Sequence, residues 1–171
     1  MVFSLSNLLR YSLDGSRAEV PLEEDLRHLE NYLTILKYRF NRRFSCTVEV
    51  EPEAYSCQIP KLVMQPMIEN AVKYGFGTQA NLKVELKAYV HDGKLKMICR
   101  DDGVGMTPGV LSQLKALLEQ EVNNSKHSGL YNIHRRCTIL YGHPYGVEIR
   151  STEGVGTTLV VTLPARREEQ E

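Results

Sequence analysis

The chain carries no net charge: 21 Lys and Arg are balanced by 21 Asp and Glu over 171 residues. No overall field draws it onto nucleic acid or an anionic membrane, so no nucleic-acid partner is expected and any anion binding must be local. It is also poor in cysteine. Cys46, Cys57, Cys99 and Cys137 are widely spaced with no CxxC pair, which reads as reduced, buried thiols in a cytosolic compartment. It has no run of about 18 apolar residues, and polar residues interrupt Met1 to Arg10, so neither a spanning helix nor a signal-peptide core is expected and the chain as given reads as soluble. The five histidines, His28, His91, His127, His134 and His143, show no metal-ligand spacing. No Ser/His/Asp or Cys/His constellation stands out either, which leaves hydrolysis by a side-chain nucleophile with little support.

A chain of this length can hold one compact domain and an extra arm. Leu5, Leu8, Leu9 and Leu13 give a short helical pattern ended by Asp14-Gly15-Ser16. Leu22, Leu26, Leu29, Leu33, Leu36 and Phe40 then alternate spacings of four and three, a heptad seam. Pro21 suits a first helical position, and Glu23, Glu24 and Asp25 complement the helix dipole. The seam fits a dimerisation or bundle helix and equally an amphipathic helix packed on its own domain, since Tyr32 and Ile35 widen the stripe. Beyond residue 41 the periodicity changes. Phe44 to Val50 reads as a strand, and Pro60 is expected to open a helix through Phe76. Leu82 to Val90 and Leu95 to Cys99 flank Asp92-Gly93 as a hairpin. Helices are expected from Pro108 to Gln120 and from Gly129 to Tyr141, separated by a polar stretch, and Val147 to Ser151 pairs with Thr157 to Leu163. This order implies an α+β two-layer sandwich, a mixed and mostly antiparallel sheet covered on one face by helices and preceded by N-terminal helices.

Four short strings combine glycine with acid, amide or base. In RDDGVGM, Gly103 and Gly105 can take backbone angles that let a ligand approach the main chain, and Asp101 at a strand end can accept from an exocyclic amine; a plain turn is the alternative. In MIENAVKYG, Asn70 and Lys73 share a helix face. An amide oxygen suits Mg²⁺ and Lys73 can reach a phosphate, although a solvent-facing polar stripe is the ordinary fate of such residues. Ser128-Gly129-Leu130 heads a helix, where free N–H groups favour anions, behind a loop bearing Lys126. Gly154-Val155-Gly156-Thr157 enters the last strand, where a bulge or tight turn is the bland reading.

Taken together and in order, ENAVKYG, DDGVGM, SGLYNIHRRC and GVGTTLVVTLP resemble the N, G1, G2 and G3 boxes of the Bergerat (GHKL) ATP-binding fold, which is shared by histidine kinases, gyrase-type ATPases and Hsp90. With its flanks, PKLVMQPMIENAVKYG and RYSLDGSRAEVPLEEDLRHLENYLTILKYRF, nearly the whole chain is similar to LytS-type sensor histidine kinases. The resemblance implies residues 1–41 as a remnant of the dimerisation region, 42–166 as the ATP-binding catalytic domain, and 167–171 as a charged tail. It implies that Asp101 binds the adenine amino group and that Gly103, Gly105 and Met106 pass under the nucleotide. Asn70 would hold Mg²⁺ against the phosphates, with Lys73 and Tyr74 assisting and Glu69 ranked below as a polarising carboxylate. Lys126, Ser128, Gly129 and Leu130 would form the lid and phosphate-binding helix start. Arg135 or Arg136 would touch phosphate, and Gly156 and Thr157 would support adenine through water.

ATP, a cognate response regulator and, through the N-terminal helices, a second copy of the chain are the partners the resemblance implies. The full protein would sit in a membrane with this part in the cytoplasm. The chain departs from the family pattern in two places, and from related folds at Pro66. No PHFLFN-type acceptor segment precedes RYSL, so the phosphorylated histidine is expected outside this fragment, with His28, at an outward heptad position, the one nearby substitute. His127 replaces the first glycine of the G2 pair. Pro66 stands one turn before Asn70, where a water-activating acid would be needed for the alternative of a gyrase or Hsp90-type ATPase. A further alternative is a nucleotide-binding or dimerisation module without turnover.

Overall fold

The computed structural model describes residues 18–77, 79–120 and 128–167. The expected helix before Asp14, Lys126 and His127 lie outside the described residues. Five strands form one sheet: β2 (Phe44–Val50), β4 (Leu82–His91), β5 (Lys94–Asp101), β6 (Gly146–Thr152) and β7 (Gly156–Pro164), in the order β2-β4-β5-β7-β6. Only β2 and β4 run parallel; the other pairs are antiparallel. Period-two alternation sets which side is covered. Leu82, Val84, Leu86 and Ala88 of β4, Leu95, Met97 and Cys99 of β5, and Leu159, Val161 and Leu163 of β7 are buried, while their neighbours are open to solvent or partly so. The β4–β5 hairpin turns at Asp92 and Gly93, both at positive φ (49° and 68°), as a two-residue turn matched to strand twist requires.

Among the described residues four helices cover the apolar face: α1 (Leu22–Phe40), α2 (Met64–Gly75), α3 (Pro108–Leu118) and α4 (Ser128–Tyr141). The expected helix start at Pro60 is displaced. Pro60 ends a short strand, β3 (Gln58–Pro60), which pairs antiparallel with β1 (Glu19–Pro21), and α2 begins only after Leu62 has turned through a φ of 57°. This ribbon was not legible because three-residue strands carry no periodicity.

The heptad seam is spent within the chain. Leu22, Leu26, Leu29, Leu33 and Leu36 are all buried in the same core as the sheet, so the expected boundary at residue 41 falls inside one hydrophobic unit. α1 runs beside α2 from end to end. At one end the buried Asp25 carboxylate accepts from the backbone N–H groups of Leu62 (2.7 Å), Val63 and Met64 (both 3.2 Å). Val63, in the capping position, has no side-chain acceptor of its own, so α1 supplies the cap that α2 lacks. At the other end Phe40 stacks on Phe76, with ring centroids 4.8 Å apart. Arg136 of α4 reaches the same 61–64 turn, donating to the carbonyls of Lys61 (2.7 Å) and Leu62 (3.4 Å).

Candidate functional site

Asp101 is the next inward position of β5 after Leu95, Met97 and Cys99, so the strand's own register carries a carboxylate into the covered layer. Its cross-strand partner on β7 is Thr157, also buried. Asp101 Oδ1 accepts from the N–H of Gly103 (2.9 Å) and of Thr157 (3.2 Å). Among the described residues Oδ2 takes no hydrogen bond and remains available to a ligand. Burial pushes the carboxyl above its ordinary value, against the pull of those two N–H donors. Asp102 is different: exposed, it accepts from the N–H of Lys83 (2.8 Å) and returns its own N–H to the Lys83 carbonyl (3.2 Å), clipping the start of β4. Of the two adjacent aspartates, only the first is buried in the covered layer.

The glycines around Asp101 are required by close backbone approach. A Cβ on Gly103 would stand 2.4 Å from Cα of Gly75, at the end of α2, and one on Gly156 would stand 2.1 Å from the Asp101 carbonyl. Gly105, expected to make room for a ligand, serves first another purpose: at φ 66° it leans on the Thr152 carbonyl, 2.0 Å from where its Cβ would be. The Gly154 N–H bonds to the Val104 carbonyl beside it (2.7 Å). The 101–106 segment is thus seated on the β6–β7 turn. Ser151, not singled out from the sequence, closes this seat. Its Oγ lies 2.9 Å from the Met106 N–H, 3.0 Å from the Gly156 carbonyl and 2.9 Å from Thr157 Oγ1.

On α2, Asn70 is buried while Lys73 and Glu69 are exposed. The solvent-facing stripe therefore describes Lys73 and Glu69 but not Asn70. Glu69 accepts from Gln65 Nε2 (2.7 Å) and its charge acts on Tyr32 of α1, so it faces away from Asp101's side of the helix. Lys73 Nζ stands 5.0 Å from the Tyr74 ring centroid. Tyr74, Gly105 and Met106 line a cavity of about 630 Å³ with Thr107, Val110 and Leu114 of the α3 segment. Asn70, Asp101 and Thr157 do not line this cavity.

The residues at the head of α4 are not gathered there either. Gly129, Arg135 and Pro66 line a separate groove of about 430 Å³ with Leu62 and Ile133. Leu130, expected among the nucleotide contacts, is a core side chain. Arg136 is engaged with the carbonyls before α2 rather than free for phosphate. His28, expected to point outward, is half-buried near Asp25 and Lys61, which drives its pKa below the usual value through desolvation. His134 is also structural: its Nδ1 accepts from the Val147 N–H (3.0 Å) and burial lowers its pKa.

The family model described as histidine kinase-, DNA gyrase B-, and HSP90-like ATPase matches residues 58–167, and the histidine kinase model matches residues 1–44. The chain is 32% identical to the sensor histidine kinase YesM of Bacillus subtilis, over 98% of this chain and 28% of that protein, and so spans under a third of its length. Among solved structures, the catalytic domain of histidine kinase ThkA superposes with a TM-score of 0.62 at 14% identity, covering 86% of this chain and 94% of that one. Full-length ShkA in complex with AMPPNP superposes with a TM-score of 0.64 at 18% identity, covering 97% and 35%. No described helix is long and apolar enough to cross a membrane. The chain belongs to the histidine kinase-, DNA gyrase B-, and HSP90-like ATPase family.

Proposed function

We propose that this domain binds ATP with Mg²⁺ and presents the γ-phosphate to a histidine outside the present sequence, for relay to a response regulator. The observation that carries this reading is the Asp101 carboxylate, buried, with one oxygen fixed by two backbone N–H groups and the other left for a ligand. A buried acceptor of this kind favours an N–H donor such as the adenine 6-amino group. Gly103, Gly105 and Met106 form the wall beside it, Gly156 and Thr157 the opposite strand. Asn70, an amide buried on α2, suits a hard cation, and Lys73, exposed one turn on, can swing to a phosphate. Mg²⁺ would supply charge neutralisation at the phosphates. What the chain contributes is orientation, which is most of what phosphoryl transfer requires of a protein. Ser128, Gly129, the Leu130 N–H and Arg135, with Lys126, are proposed to close over the phosphates, and Glu69 to play a minor part.

Pro66, where an activating acid would stand, favours transfer to a protein acceptor over hydrolysis of the gyrase or Hsp90 kind. The full protein is proposed to be a membrane-anchored homodimer paired through N-terminal helices by surfaces other than the buried seam of α1. Titration with a fluorescent ATP analogue, with and without Mg²⁺, tests the site. Asp101→Asn should weaken binding by about 1 to 3 kcal/mol. Parent-like affinity in that variant would remove Asp101 from the site, and Asn70→Ala should abolish the Mg²⁺ dependence.

A further inference from the structure

Ser151 Oγ has three neighbours, and their chemistry decides where every proton lies. The Met106 N–H can only donate to it and the Gly156 carbonyl can only accept from it, at 2.9 and 3.0 Å. A serine hydroxyl has one proton and two lone pairs. Its proton is therefore taken by the Gly156 carbonyl and one lone pair by Met106. The remaining lone pair faces Thr157 Oγ1 at 2.9 Å, so the threonine is the donor of that contact. The Thr157 hydroxyl has then given up its only proton, and what it has left to offer a ligand is lone pairs alone. Beside it Asp101, bonded to the Thr157 N–H, likewise offers only an acceptor.

We infer that Ser151 is a positioning residue that fixes the direction of the Thr157 proton, making Thr157 an acceptor and thereby selecting a 6-amino over a 6-oxo purine. The inference rests on the reading of this cleft as an ATP site. Two adjacent acceptors demand a donor from the base. A bridging water preserves the demand, because it spends its two protons on Asp101 and Thr157 and turns its lone pairs to the ligand. A 6-oxo group would then meet lone pairs in a buried place, the arrangement that gives sharp discrimination.

Competition between the fluorescent analogue and either ATP or inosine triphosphate, in which a carbonyl replaces the 6-amino group and N1 carries a proton, tests this. In Ser151→Ala, Thr157 regains a free proton and can donate to the carbonyl, so the preference for ATP over inosine triphosphate should fall by about tenfold. Ser151→Thr keeps the hydroxyl and should keep the parent preference. Thr157→Val removes the hydroxyl, and adding Ser151→Ala to it should leave the preference where Thr157→Val set it. Equal weakening of both nucleotides in Ser151→Ala would overturn the proposal, since a loosened loop does not distinguish the bases; so would a further change in the double variant. If the parent binds neither triphosphate, the ATP site itself is wrong and the inference falls with it. ATP binding with an unaltered preference overturns the inference alone.

Discussion

A single carboxylate shows how the site sets itself against the fold. The folded chain holds Asp101 above its ordinary pKa because burial disfavours the charged form. Between the ordinary value and the raised one the native state binds more protons than the unfolded chain, so stability falls as pH rises through that window. At neutral pH Asp101 therefore destabilises the domain that needs it. Asp101→Asn should leave the melting temperature unchanged or raised, because an amide oxygen can still accept from Gly103 and Thr157, while nucleotide affinity drops. A clear fall in melting temperature would show the charge to be structural. Asp102→Ala should do the reverse, losing on the order of 1 kcal/mol of stability with the Lys83 clip and leaving nucleotide affinity intact. Asp101 was legible in the sequence because it continues a period-two strand pattern and borders a glycine pair. Ser151 was not, since a serine within a strand shows nothing until β6 and β7 are paired and the 101–106 segment is laid across them.

Among the elements, α2 is held by its neighbours as much as by its own sequence. Its start has no capping side chain of its own, and Asp25 meets the first N–H groups across 37 to 39 residues of sequence. Asp25→Ala leaves these donors without an acceptor in a buried turn and should cost about 2 to 4 kcal/mol, read as the shift of a denaturant midpoint. Because the other end of α2 carries Asn70, Lys73 and Gly75, the variant should also bind ATP more weakly under conditions where it remains folded. From the sequence, Asp25 looked like a charge matched to its own helix dipole; a cap given to another helix has no local signature. The junction of α4 with β6 gives a second test. His134 and His28 both have lowered pKa values through burial, so below about pH 6.5 the unfolded chain takes up more protons than the folded one and stability is lost as pH falls. Melting temperatures measured between about pH 5 and 7.5 should decline on the acid side, and His134→Gln, which can still accept from Val147, should flatten that decline.

For the molecule as a whole, the decisive matter is where the catalytic unit begins. The heptad spacing of Leu22 to Leu36 is the pattern of a helix made to pair with another helix, and sequence periodicity cannot say whether that partner is a second chain or the domain behind it. The five strands of the main sheet, the hairpin turn and, apart from the start of α2, the four described helices were legible from apolar periodicity and turn residues. Ownership of the α1 seam was not, because it depends on contacts far apart in sequence. Five leucines of α1 lie in the core of the sheet, and each contributes about 1.5 to 3 kcal/mol on burial, a sum comparable with the whole stability of a domain of this size. A chain beginning at residue 42 should therefore expose the faces of α2 and β2 that α1 covers, and should fail to show a cooperative thermal transition or to bind nucleotide. A chain beginning at residue 18 keeps β1, the Asp25 cap and the seam, and should melt cooperatively and bind ATP. Leu29→Asp sharpens the comparison. If the seam is internal the variant unfolds, whereas if the seam were held by a second chain it would stay folded and change only its sedimentation, so one pair of measurements separates a helix that builds the ATP site from one that merely joins two copies of it.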